Sequence, residues 1–151
     1  MKSKPVLRWR TFCVLLALLP LASACGEIRA MYAPLPTSTV APEAAPFLAL
    51  VHAFNDAVNT GNVDAAAALF TDDAVVADGG YVLQGKGQIR NWLETSVVAN
   101  KVHVELFEFQ SAGGQIIWLN TVTDINSETP YRVRNEAVVE AGKFKSLTAS
   151  P

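Results

Sequence analysis

Near Ala99 the spacing of apolar residues changes from helical to alternating, and a chain with that order has few ways to bury its apolar side chains. Upstream, PFLALVHAFNDAVNTG sets Phe47, Leu50, Val51, Phe54 and Val58 on one helical stripe. Pro46 suits the first turn of that helix and Gly61 supplies its stop. Asn62 can cap a shorter helix over VDAAAALF, and GKGQIRNWLETSV predicts a third helix with Ile89, Trp92, Leu93 and Val97 on one side. Downstream, KVHVELFEFQ, QIIWLNTVTDI, PYRVRNEAVVEA and KFKSLTAS alternate as strands do, punctuated by Gly113-Gly114, NSETP and Gly142. Helices followed by such strands predict an α+β domain, with the helices laid across one face of a curved antiparallel sheet.

The residues before this domain read differently. Lys2, Lys4, Arg8 and Arg10 precede the apolar run FCVLLALLPL, the charged-then-apolar order of an export signal, and the run is too short for the roughly 20 residues of a membrane-spanning helix. The segment ends LASAC, which resembles a bacterial lipobox with Ala22 where that pattern prefers Leu; ordinary signal cleavage after Ala22-Ser23-Ala24 is the alternative. The resemblance implies that residues 1–24 are removed, that Cys25 carries lipid, and that the chain is anchored to a membrane of the cell envelope. Residues 25–45, rich in Pro, Ala, Ser and Thr, read as a tether, and residues 46–151 as the domain. Cys13 leaves with the signal, so no intrachain disulfide is expected and the fold must stand on its core. Loss of the signal leaves eight basic against fourteen acidic residues, a balance of −6, which argues against nucleic acid as a partner.

TDDAVVADGGYVLQ carries the most ambiguous residue of the domain. Asp78 opens an Asp-Gly-Gly step between two apolar segments, a strong hairpin signal because the glycines take the positive φ of a tight turn. Alternation also places it on the side of Ala74 and Val76, so the same residue can aim a carboxylate inward. Asp72 and Asp73 read as solvating the turn between helix and strand. In YRVRNEAVVE, Asn135 shares a face with Tyr131, Val133, Ala137 and Val139, while Arg132, Arg134, Glu136 and Glu140 line the other. Asn120 shares a face with Ile116, Trp118 and Val122. An amide on an apolar face needs a partner, in the backbone, in water or in a ligand, or costs on the order of 1–3 kcal/mol.

FNDAVNTGNVDAAAALFTDDAVV and GKGQIRNWL, in this order around a Gly-rich step, resemble the nuclear transport factor 2-like superfamily, and within it the SnoaL-like branch that includes ketosteroid isomerases and polyketide cyclases. The resemblance implies a cone-shaped, cystatin-like fold whose sheet curls around a mostly apolar cavity. It implies a ligand pocket at Phe54, Asp78, Trp118, Asn120, Tyr131 and Asn135, and a homodimer paired through the outer sheet face. Of the isomerase machinery, the base matches Asp78; the tyrosine of the first helix falls at Phe54, which has no proton to donate, and the neutral carboxylic acid falls near Asn135.

Three functions follow as expectations: binding of a small, largely apolar ligand, acid–base isomerisation or cyclisation through Asp78, and a non-catalytic interaction module. No cofactor is implied. His52 and His103 have no Cys or second His at metal-ligand spacing, and no nucleophile elbow, phosphate loop or dinucleotide fingerprint is present. Trp92 and Trp118 are expected in the core.

Overall fold

The computed structural model describes residues 42–151. The expected signal, Cys25 and most of the tether lie outside the described residues.

Helix α1 (Ala45–Asn59) carries Pro46 in its first turn and buries Leu50, Val51, Phe54 and Val58 of the predicted stripe together with Ala57, while Phe47 is half-buried. Asn55 is buried with them. Helix α2 (Val63–Ala68) follows at once, and Asn62 caps it by accepting a hydrogen bond from the Ala65 N–H at 3.0 Å. Helix α3 (Lys86–Trp92) runs into a π-helical segment, Leu93–Val98. Within that junction the Thr95 hydroxyl donates to the Asn91 carbonyl at 2.8 Å, competing for a backbone acceptor of the helix, and the Ala99 N–H reaches Glu94 O, five residues back.

Six strands form one sheet in the order β2-β1-β6-β5-β4-β3. They are β1 (Phe70–Asp78), β2 (Tyr81–Gln84), β3 (His103–Ala112), β4 (Gln115–Thr123), β5 (Tyr131–Glu140) and β6 (Lys143–Ser150). From β3 to β6 the sheet is the expected antiparallel meander. The sheet as a whole is mixed, which corrects the expectation of a purely antiparallel one: β1 lies parallel to β6, with Asp78 opposite Ala149. The reason is connectivity, since β1 is separated from β6 by α3 and four strands and so is free of the hairpin constraint that makes consecutive strands antiparallel. Asp72 and Asp73 sit within β1 and not in a turn before it, exposed and paired with Lys86 and Lys145 respectively.

The core lies between α1 and the inner sheet face. Phe54 meets Phe70 and Phe144 edge-on, with ring centroids 5.9 and 5.7 Å away, and Trp118 stacks on Phe144 at 5.8 Å. Asn59 tucks the end of α1 against the sheet, its amide donating to Val104 O at 2.9 Å and accepting from the Val104 N–H at 2.8 Å. On the outer face Arg132 lies 3.3 Å over the exposed Phe107 ring.

Candidate ligand cavity

Where the ring cluster ends, the inner sheet face opens into a cavity of about 200 Å³. That is below the roughly 300–1,000 Å³ of pockets for drug-sized ligands, so an occupant must be compact. Its apolar wall comes from Phe54 and Val58 of α1, Val97 of the π-helical segment, and Val104, Val122 and Leu147 of the sheet. The wide turn of that segment also brings Ser96 to the lining, and Asn100, Asp124, Asn126 and Tyr131 are the polar residues at the loop end.

Asp78 serves both roles that its sequence context allows. Its backbone ends β1 and pairs with Tyr81 across Gly79 and Gly80, whose φ values of 54° and 88° are those of a tight hairpin turn. Its side chain is half-buried, lines the cavity, and accepts a hydrogen bond at Oδ2 from the Trp92 indole N–H at 2.9 Å. Trp92 therefore belongs to the site and only partly to the core, a correction to the sequence reading.

Strand register sets the rest of the arrangement. Asp78 on β1 and Asn135 on β5 both stand opposite Ala149 on β6, so the small Ala149 side chain lies between them on the cavity face. Asn135 is 6% exposed. Its amide N–H makes one long contact, 3.4 Å to Val133 O, and its Oδ1 accepts no hydrogen bond among the described residues. One strand further, Trp118 is opposite Asn135, but it is fully buried and does not line the cavity. Of the residues expected in a pocket, Phe54, Asp78, Asn120, Tyr131 and Asn135 meet there; Trp118 belongs to the core beside them, and its indole N–H finds no acceptor among the described residues.

Asn120 has a protein partner. Its amide and that of Asn55 exchange two hydrogen bonds, of 3.1 and 3.2 Å, in a buried pair that joins α1 to β4. The sequence reading passed over Asn55, although a polar residue four positions after Val51 on the apolar stripe marks a buried amide. Asp124 was also passed over, although it continues the parity of Asn120 and Val122. Its carboxylate accepts from the Tyr131 hydroxyl at 2.7 Å, from the Asn126 N–H at 2.7 Å and from the Ser127 hydroxyl at 3.4 Å. The Tyr131 bond leads in holding the Asp124 carboxyl below its ordinary pKa. Tyr131 is pushed up to about 12, first by burial, then by its bond to Asp124 and by the charges of Asp124 and Asp78. It is therefore a neutral donor at the mouth and not a base. Among the described residues no group of three His, Cys, Asp or Glu side chains could hold a metal ion.

The model of the SnoaL-like domain family matches residues 51–144, from within α1 to the start of β6. The chain belongs to the SnoaL-like family. Three solved structures show how widely this SnoaL-like fold is shared. One is a supposed polyketide cyclase from Sinorhizobium meliloti, 24% identical over 68% of this chain and 94% of that one, with a TM-score of 0.64. Another is a protein with a ketosteroid isomerase-like fold from Catenulispora acidiphila in complex with trimethylamine, 21% identical over 68% of this chain and 84% of that one, with a TM-score of 0.61. A third, from Mycobacterium tuberculosis in complex with estradiol-17beta-hemisuccinate, is 19% identical over 70% and 93% of the two chains, with a TM-score of 0.62. At these identities the likeness is one of fold. No curated protein matches the sequence.

Proposed function

We propose that this SnoaL-like domain is a binding module that holds a compact, largely apolar small molecule in its cavity, on a chain anchored to the cell envelope through Cys25. The observation that carries the binding reading is the cavity itself, apolar along Phe54, Val58, Val97, Val104, Val122 and Leu147 and marked by a few converging polar groups. Proteins of the same fold hold trimethylamine and estradiol-17beta-hemisuccinate, which supports the cone as a site for small ligands. Saturable shifts of the Trp92 indole N–H resonance are expected when the purified chain is titrated with a compact apolar alcohol such as 3,3-dimethylbutan-1-ol. Ala149→Phe, which fills the space between Asp78 and Asn135, should abolish them while the protein stays folded. Absence of any saturable shift in the parent chain would remove the binding reading.

Acid–base turnover is the second reading, and it draws on a specific feature: Asp78 lines the cavity, and its Oδ1 is free of hydrogen bonds among the described residues. A base alone is weak support, because proton abstraction also needs donors for the charge that develops on the substrate. Phe54 offers none, Tyr131 spends its hydroxyl on Asp124, and the Asn135 amide is the remaining inner donor.

The anchor rests on LASAC and the charged-then-apolar segment before it. Expressed in a bacterial host, the chain should fractionate with membranes, and Cys25→Ser should release it or leave it unprocessed. An unchanged distribution would count against lipid on Cys25.

A further inference from the structure

We propose that the ligand of this cavity is an organic cation, a protonated amine on a compact apolar body, held with its ammonium between Asp78 and Asn135. The inference rests on the reading of the cavity as a ligand site and names the chemistry of the ligand's polar end.

The charge of the lining points that way. Asp78 and Asp124 both face the cavity, and no Lys, Arg or His is among the described residues that line it. An anion would meet two carboxylates with no counter-charge, and desolvation would add to that cost. A neutral apolar molecule would bury the free oxygen of Asp78 against carbon, and an ionised acceptor deprived of water without a donor is strongly unfavourable.

Hydrogen-bonding capacity narrows it further. Asp124 already accepts from Tyr131, Asn126 and Ser127 at the mouth, so its charge adds to that of Asp78 from the loop end. Asp78 has one oxygen on Trp92 and the other free, and the nearly fully buried Asn135 has a free acceptor oxygen in the same cavity. Free acceptor oxygens outweigh donors on the inner wall, where the Asn135 amide is the remaining donor. A protonated amine brings up to three donors.

Register makes the bridge possible. With both residues opposite Ala149 and neighbouring strands about 4.8 Å apart, the two backbones stand about 10 Å from each other. An ammonium with charge-assisted bonds of about 2.8 Å on each side spans the site when the two side chains lean towards each other over the Ala149 methyl group. Trp92, tied to Asp78 through its N–H, and Tyr131 also line the cavity, and aromatic rings suit a cationic neighbour. The apolar wall then takes the hydrocarbon.

Three probes of one shape separate charge from shape: 3,3-dimethylbutylamine, 3,3-dimethylbutan-1-ol and 3,3-dimethylbutanoate, titrated against the full chain at pH 7 with the Trp92 indole N–H followed by NMR. The amine should bind about tenfold or more tighter than the alcohol, the size of effect expected of a charge-assisted hydrogen bond, and the carboxylate weakest of the three. Asp78→Asn keeps the turn and an acceptor oxygen while removing the charge; in that variant the amine should bind no tighter than the alcohol. Equal or tighter binding of the alcohol by the parent chain would overturn the cation inference and leave the ligand cavity standing. A preference for the amine that survives Asp78→Asn would also overturn it, because the charge would then be read elsewhere. If none of the three binds, the cavity reading and this inference fall together.

Discussion

Phe144→Ala is expected to cost about 3–5 kcal/mol, the range for truncating a large ring in a packed core. Phe144 is fully buried and touches the rings of Phe54, Phe70 and Trp118, which come from a helix and two other strands and cannot all move inward to fill the void. For a domain whose total stability is about 5–15 kcal/mol, that is a large fraction. Urea unfolding should show the midpoint fall at an unchanged slope, as expected when native stability alone changes. Phe107, 60% exposed on the outer sheet face, is the internal control, and its truncation should cost less than about 1 kcal/mol. Similar losses at the two positions would mean that the ring cluster does not organise the core.

Asn120→Leu is expected to cost about 1–3 kcal/mol, because it leaves the buried amide of Asn55 without its partner. The paired change Asn55→Leu with Asn120→Leu should recover most of that loss, since replacing both partners with apolar groups removes the unsatisfied group itself. The interaction term of the double-mutant cycle therefore separates an amide pair from two independent packing positions. Additive losses would show that the two side chains do not depend on each other, and that Asn120 is held by the cavity side instead. The outcome bears on function, because Asn120 lines the cavity and its pairing with Asn55 removes it from the groups free to meet a ligand.

The two-residue turn after Asp78, the cap at Asn62 and the apolar stripe of α1 were all legible in the sequence, because each depends on residues a few positions apart. So was the inward face of β5, where Asn135 alternates with Val133 and Ala137. Other features were present as signals and were passed over. Asn55 interrupts the α1 stripe, and Asp124 keeps the parity of Asn120. For Trp92 there was no signal to read, since an indole on an apolar stripe looks the same in sequence whether its N–H is idle or bonded to a carboxylate fourteen residues away.

The sequence by itself determined most of the residues that turn inward and most of the helices and strands, and hence an α+β domain with a mixed polar and apolar inner face. Periodicity does this because a side chain's direction follows from its position in its own element. Only the tertiary structure decided who meets whom. The parallel pairing of β1 with β6 set Asp78 opposite Ala149, and the β5–β6 register set Asn135 opposite that same residue. Those two pairings place a free carboxylate oxygen and a free amide oxygen on either side of one methyl group. The β5–β6 pairing is a local hairpin, but the β1–β6 register joins strands more than fifty residues apart in sequence, which no local spacing encodes.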